Sequence, residues 1–458
     1  MAISRRQLLA TSLASALGLG LMSRRSRAAR AGPPNIVFML ADDLGYADLS
    51  CYGRNFSTPS IDSLARSGAL FTQAYASSCV CSATRVALIT GREPGRLRVG
   101  LDEPLTYEHE ETIGLPTDIP TLPSLLRRLG YRTSLFGKWH MGKPPKFGPL
   151  KSGYERFFGV YGGFSYYFGH GKDDPSPVVD GERALTDHGY LTDLLADKAI
   201  EELTTAARES RPAFISLHFN AVHWPWEGPG DRAKSAAIKD PVHRDGGSIQ
   251  TYRAMLESLD RNVGRVLDAL EALDLAHNTI VVFTSDNGGE RFSDSWPLTG
   301  IKGELLEGGI RVPVLVRWPG HVPPGLCTEQ LAATLDWLPT LLAAAGGAPD
   351  PGYPSDGENL LPVLTGAASA HRRTLFWRYM ANDQAAVRDD RWKYLKLGGR
   401  EHLFDVVADP RERAELADEY PQEFERLKRL YEAWNAQMLP YPPDAKSYNV
   451  KSGTADRY

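Results

Sequence analysis

The sequence predicts an α/β fold: a large, mostly parallel sheet flanked by helices, followed by a smaller C-terminal α+β subdomain of antiparallel strands and a helix. Three observations predict it. Apolar, β-branched runs of strand length, Asn35 to Leu40, Ala213 to Phe219 and Thr279 to Thr284 among them, read as strands buried on both faces. Between them lie longer amphipathic stretches, such as Leu191 to Thr205 and Ile249 to Leu273, with apolar residues at helical spacing. After Gly346 the composition shifts to Pro, Gly and Asp, which predicts a boundary between a large unit at 32–346 and a subdomain at 347–458.

The chain opens with Ser4-Arg5-Arg6-Gln7-Leu8-Leu9, a weakly apolar stretch as far as Met22, and Ala29-Arg30-Ala31 before Gly32. Residues 1–31 therefore read as a twin-arginine signal peptide, too short in its apolar part to serve as a stable membrane anchor. They predict an exported protein, periplasmic or extracellular, carried by the twin-arginine export machinery.

The strand from Asn35 ends in Ala41-Asp42-Asp43. Two adjacent carboxylates at a strand end repel one another unless a cation lies between them. A helix capped by Ser60, with Ile61, Leu64 and Ala65 inward, is expected to stop at Gly68. Next, Cys81 stands at the mouth of a short helix that ends at Gly91, with Arg85 one turn along on the same face. A helix amino terminus beside a guanidinium suits a tetrahedral oxyanion.

Thr121 to Leu129 reads as a helix, and the strand Thr133 to Phe136 runs into Gly137-Lys138-Trp139-His140. In an extended segment Lys138 and His140 would face the same side. The stretch from Tyr154 to Phe168, with Tyr161, Phe164, Tyr166 and Tyr167, fits core packing or the wall of a ring-binding pocket. Past the strand at Ala213 comes His223, while His218 inside that strand reads as a core histidine. The strand at Thr279 delivers Asp286 and Asn287, and Lys302 follows. Beyond lie a strand from Val314 to Trp318 and a helix from Leu331 to Ala345 interrupted by Pro339. The C-terminal strands are expected at Thr374 to Tyr379, Ala385 to Arg388, Trp392 to Leu395 and Leu403 to Val406, with a closing helix from Pro421 to Met438.

A net charge of −4 argues against nucleic acid as a partner, so any cationic function is local. The four cysteines, Cys51, Cys79, Cys81 and Cys327, form no zinc-type repeat, and any pairing between them is open. Four separate strands deliver Asp42 and Asp43, Lys138 and His140, His223, and Asp286 and Asn287, each just past its carboxyl end. In an open parallel sheet those ends line one crevice. The acidic set offers hard oxygen donors suited to Ca²⁺ and poorly suited to zinc.

Cys81-Ser82-Ala83-Thr84-Arg85, followed by Leu88-Ile89-Thr90-Gly91-Arg92, resembles the signature of the type I, formylglycine-dependent sulfatases, an arylsulfatase-like family within the alkaline-phosphatase-like superfamily. That signature is Cys-x-Pro-x-Arg with a downstream Leu-Thr-Gly-Arg, and Ala83 stands where the family has Pro. Gly137-Lys138-Trp139-His140, His223, Lys302-Gly303 and Glu307 to Pro313 are similar to further family motifs. The resemblance implies that formylglycine-generating machinery oxidises Cys81 to an aldehyde whose hydrate is the nucleophile. It implies a calcium ion on Asp42, Asp43, Asp286 and Asn287 that also touches the modified Cys81. Arg85, Lys138 and Lys302 would then neutralise the sulfate, His140 would handle the hydrate's proton, and His223 would contact the sulfate or leaving group. The implied substrate is a sulfated small molecule or saccharide. Two other readings stay open: a phosphonate monoester or phosphodiester hydrolase of the same superfamily, and a non-catalytic binder of sulfated glycans.

Overall fold

In the computed structural model, which describes residues 32–53, 56–171, 174–239 and 247–449, the run Asn35–Ala41 forms β1 and is buried along its whole length. The expected signal at 1–31 lies outside the described residues. The following strands are β2 (Ala69–Phe71), β3 (Ala74–Tyr75), β4 (Arg132–Lys138), β5 (Arg156–Val160), β6 (Val179–Asp180), β7 (Arg183–Ala184), β8 (Ala213–His218), β9 (Thr279–Ser285), β10 (Val314–Arg317), β11 (Leu326–Thr328) and β12 (Ala332–Ala333). All but β3 and β12, which pair with each other, join β1 in a ten-stranded sheet of order β11-β2-β10-β9-β1-β8-β4-β5-β6-β7. Its centre, β9-β1-β8-β4-β5, is parallel. Antiparallel pairs appear toward the margins, where β10 meets β9 and β2, and β6 meets β5 and β7.

Side chains of β1 alternate between two helical layers, as the pleat requires. Val37, Met39 and Ala41 pack with the helices Leu191–Glu209 and Ile249–Ala272 through residues such as Leu195, Leu203, Met255 and Leu259. Ile36, Phe38 and Leu40 pack with the helices Cys81–Thr90, Leu122–Arg128 and Trp337–Ala344. Full burial of each such Leu, Ile or Phe stabilises the sandwich by about 1.5–3 kcal/mol.

Two helix starts differ from expectation. The Pro59–Ser67 helix begins one residue before Ser60, with Thr58 in the cap position and Pro59 in the first turn, where its missing N–H costs nothing. The capping acceptor comes from elsewhere in the chain: the Asp260 carboxylate, on the long helix, accepts from the Ile61 N–H at 2.8 Å and the Ser60 N–H at 3.3 Å. Asp260→Ala is therefore expected to lower stability by about 1 kcal/mol in chemical denaturation, and an unchanged midpoint would show that water replaces the carboxylate. The expected helix from Leu331 to Ala345 starts only at Trp337, because Ala332–Ala333 pairs as a strand and Thr334–Asp336 forms a 3₁₀ turn. Pro339 consequently lies in the first turn and interrupts nothing.

After residue 346 the chain builds a four-stranded antiparallel meander, β13 (Thr374–Tyr379), β14 (Gln384–Asp389), β15 (Trp392–Leu397) and β16 (Arg400–Asp405). One face of this sheet, with Trp377, Tyr379 and Leu395, packs on Ala83 and Ala87 of the Cys81–Thr90 helix and on Val80 just before it. The other face receives the closing helix Pro421–Asn435 through Leu427 and Phe424. A buried ionic group ties this sheet to the loop after Lys302. Lys393 Nζ lies 3.0 Å from Glu307 and 2.8 Å from Glu412, and the Tyr75 hydroxyl donates to Glu307 at 2.9 Å. All four cysteines are free thiols. Among the described residues no helix is long and apolar enough to cross a membrane.

Candidate active site

The Cys81–Thr90 helix starts at Cys81 itself, after Val80 in extended conformation, and closes on Gly91 in the left-handed region. Its amino terminus points to the carboxyl ends of β1, β4 and β9. There Asp42 and Asp43 follow β1, Lys138 ends β4, and Asp286 and Asn287 follow β9. Every one of these side chains is buried to 2 % exposure or less.

Charge pairs dominate the floor of this crevice. The Arg85 guanidinium donates to Asp286 Oδ2 through Nη2 at 2.7 Å and Nε at 3.1 Å, and through Nη1 to the Lys138 carbonyl at 3.0 Å. Lys138 Nζ bonds Asp42 Oδ2 at 2.7 Å, and Lys302 Nζ bonds Asp43 Oδ2 at 2.7 Å. Burial opposes ionisation of Asp43, but Lys302, His223 and Lys138 outweigh it and hold the carboxyl far below the usual range. At Asp286 burial prevails, reinforced by Asp42 and resisted by Arg85, and the pKa rises to about 6. Burial likewise pushes the Cys81 thiol up to about 12, against the pull of Lys138 and Lys302.

Asp42, Asp43, Cys81 and His223 offer ligand atoms that all lie within 4.8 Å of one another. Asp286, expected in that set, turns Oδ2 to Arg85 and uses Oδ1 to accept the Asp43 N–H at 3.3 Å. His223, expected only as a substrate contact, stands in the cluster with Nε2 3.6 Å from Asp43. Two buried oxygens here have no hydrogen-bond partner: Asp42 Oδ1 and Asn287 Oδ1. Asn287 donates its amide to Asp43 Oδ1 at 2.8 Å and to the Gly288 carbonyl at 2.9 Å, which leaves its own oxygen unpaired. Orphaned hard oxygens beside a carboxylate pair fit a calcium ion by donor chemistry.

The two active-site histidines have readable tautomers. His140 Nε2 faces the Leu105 carbonyl at 2.8 Å, and a carbonyl only accepts, so Nε2 carries the proton. Its Nδ1 is a bare, buried lone pair without a partner. His223 is the reverse, with Nδ1 donating to the Trp224 carbonyl at 2.5 Å. Burial, with Lys138 at His140 and Lys302 at His223, drives both pKa values well below the usual histidine range. Strand alternation does not deliver His140, because β4 ends at Lys138 and His140 adopts a left-handed φ of 59°. Asp43 shares that conformation at φ 61°, and such strain concentrates at functional sites. His218, read as a core histidine, is buried with Nδ1 at 3.1 Å from the Lys138 carbonyl.

Above this floor opens a cavity of about 190 Å³ reached by Cys81, His140, His223 and Lys302. Phe164 and Trp224 line it, so part of the aromatic stretch is pocket wall, whereas Tyr167 is core. Gly163 leaves the space that His140 needs, since a Cβ there would fall 2.7 Å from His140 Cε1. Glu110, Glu290 and Tyr448 also line the cavity, and none carries a signal in the sequence. Glu110 stands in the polar run Tyr107 to Glu111 and Tyr448 near the chain end, where acids and tyrosines ordinarily read as solvated loop. Asp48 is equally silent in the sequence. Buried beneath the site, it accepts from the Gly45 N–H, the Tyr252 and Ser293 hydroxyls and the Asp294 N–H, at 2.6–2.9 Å, and so locks the loops after Asp43 and Asn287 together.

A mostly parallel sheet with an acidic cluster, a helix-mouth cysteine and three buried cations at its carboxyl rim suits chemistry on esters of tetrahedral oxyanions, a broad class of reaction. Comparison with known proteins narrows this class. The family described as Sulfatase matches residues 34–348, and one described as N-sulphoglucosamine sulphohydrolase, C-terminal, matches residues 302–436. Human arylsulfatase A is 35 % identical over 436 residues, covering 87 % of this chain and 80 % of that protein. Human N-acetylgalactosamine-6-sulfatase is 32 % identical, covering 76 % and 68 %. The solved structure of Ps i-CgsB in complex with k-i-k-neocarrahexaose superposes with a TM-score of 0.82 at 30 % identity, covering 91 % of this chain and 95 % of that one. The chain belongs to the sulfatase family, the sulfuric ester hydrolases. The phosphonate monoester hydrolase of Agrobacterium radiobacter, with a TM-score of 0.62 at 21 % identity, shares the fold.

Proposed function

We propose that this chain hydrolyses the sulfate ester of a saccharide, with formylglycine derived from Cys81 as nucleophile beside a calcium ion held by Asp42, Asp43, Asp286 and Asn287. The observation that carries this is the pair of orphaned oxygens, Asp42 Oδ1 and Asn287 Oδ1, in a buried cluster that also contains Cys81 and three cations. A saccharide is supported by the k-i-k-neocarrahexaose with which Ps i-CgsB forms its complex. Release outside the cytoplasm is proposed from the twin-arginine stretch at Ser4 to Leu9.

The modified residue would supply a hydrated-aldehyde nucleophile, and a calcium ion held by the rim oxygens would supply positive charge. The chain's own residues do the rest. Lys302, on the cavity wall and bound to Asp43, presents ammonium protons to an incoming anion without reorganisation, and Lys138, buried beneath it on Asp42, adds positive charge to the floor. Arg85 orients Asp286 and the end of β4 at once. His140, neutral with a free Nδ1, accepts a proton from the nucleophile side. His223, also neutral and with its proton on Nδ1, turns the Nε2 lone pair to the site, where it contacts the sulfate or the leaving group.

Formal charge does not choose sulfate over phosphate. With Ca²⁺ bound, Arg85, Lys138 and Lys302 against Asp42, Asp43 and Asp286 leave a balance of about +2, favourable to either anion. The choice rests on the motif set and on the relatives. For formylglycine-bearing enzyme, kcat/KM for an aryl sulfate should exceed that for the matching phosphonate monoester or phosphodiester by at least about tenfold, or about 1.4 kcal/mol. Assay of both esters on one preparation decides this, and a preference for the phosphorus ester overturns the proposal.

A further inference from the structure

The cavity walls hold two carboxylates that the chemistry above does not use. Glu110 is 2 % exposed, and its side chain makes no hydrogen bond among the described residues. Lys143, on the same stretch of chain as His140, is committed to Glu111 at 3.3 Å and lies over the Tyr107 ring. Burial accordingly raises the Glu110 pKa to about 7, against the pull of Lys143 and Lys138. With no protein donor among the described residues, the Glu110 carboxylate faces the cavity and is free to accept from a ligand. Glu290 repeats the pattern: Oε1 accepts the Tyr448 hydroxyl at 3.0 Å, while Oε2 is buried and unpartnered.

The surrounding wall makes room for these groups. A Cβ at Gly162 would fall 3.1 Å from both Glu110 Oε1 and Ser176 Oγ, so the glycine lets the carboxylate lie against the cavity. Phe164 and Trp224, with ring centroids 5.3 Å apart, add flat apolar surface. Among the described residues that line the cavity, the single Lys or Arg is Lys302, and its ammonium is bound to Asp43. The entering molecule therefore has to bring hydroxyl donors and an apolar face, and a pyranose ring has both. A second sulfate on that ring would meet these carboxylates, with no further Lys or Arg among the described residues that line the cavity.

We infer that Glu110 and Glu290 form a hydroxyl-reading subsite that selects a monosulfated sugar ring and turns away polysulfated ones. This specificity rests on the sulfate-ester reading of the same site. Its test uses methyl galactosides and glucosides carrying one sulfate at each position in turn, their disulfated counterparts, and 4-nitrophenyl sulfate, which has no hydroxyl. Calorimetry on the full chain with Cys81 unmodified reads binding, and the formylglycine form reads turnover. At least one monosulfated hexoside should bind at least tenfold tighter than its disulfated counterpart, and Glu110→Gln or Glu290→Gln should narrow that ratio. Glu110→Ala should lower kcat/KM for the sugar relative to 4-nitrophenyl sulfate by at least tenfold. Disulfates bound as tightly as every monosulfate, or equal loss on sugar and nitrophenyl ester, overturns the subsite. Glu110-dependent binding of a monosulfate without turnover of any sulfate ester upholds it and removes the hydrolase reading instead.

Discussion

Cys81→Ala should abolish sulfate ester hydrolysis, with a loss of at least roughly 10⁴-fold in kcat, while the fold persists. The thiol is 1 % exposed and makes one long contact, Sγ to Asp43 Oδ1 at 4.0 Å, so its removal leaves every charge pair of the site in place. No neighbouring side chain can substitute. Ser82, the adjacent hydroxyl, is turned away and is engaged with the Asp102 carbonyl and the Leu105 N–H. Melting temperature and turnover measured on the same preparation separate chemistry from folding. Turnover within tenfold of the parent enzyme would show that the nucleophile comes from elsewhere.

Arg85→Ala should strike both stability and activity. The guanidinium is wholly buried and forked onto Asp286, so its loss strands an unpaired carboxylate at a cost of about 3–5 kcal/mol. Lysine in its place cannot span two bonds to Asp286 and a third to the Lys138 carbonyl, so Arg85→Lys should recover only part of the stability. The double variant Arg85→Ala with Asp286→Ala should be more stable than Arg85→Ala alone and still inactive, because it removes the stranded charge and a proposed calcium donor together. Chemical denaturation of the three variants tests this, and additive losses in the double variant would refute the pairing.

Much of the rim is legible because a strand buried on both faces has an unmistakable apolar run, and the polar residues that follow it have to lie at its carboxyl end. That logic locates Asp42, Asp43, Asp286, Asn287 and Lys138, and the structure brings them to one crevice. Helix starts are less legible where a distant side chain does the capping, as Asp260 does for the Pro59–Ser67 helix. The strand Ala332–Ala333 is hidden because two alanines carry no period, and its pairing with Ala74–Tyr75 is a long-range event. Glu110, Glu290 and Tyr448 are invisible for a related reason. Their burial depends on loops folding back over the sheet, and local sequence holds no record of that. Asp286 is legible as a rim residue, while its bonds to Arg85 and to the Asp43 N–H are not, because both cross from distant parts of the chain.

The helix that begins at Cys81 is buried from its first residue to its last, pressed between the main sheet and the C-terminal meander. Its thiol is 1 % exposed, at the floor of the cavity, and, with a pKa pushed up to about 12, almost wholly protonated at neutral pH. An enzyme that oxidised Cys81 and gripped the buried helix around it would have to meet this segment before the chain closes. Under the proposed modification, conversion and folding would compete on a single clock. The fraction of molecules carrying the aldehyde would be set by how long the chain lingers open, and a molecule that closed first would keep its thiol for as long as it stayed folded.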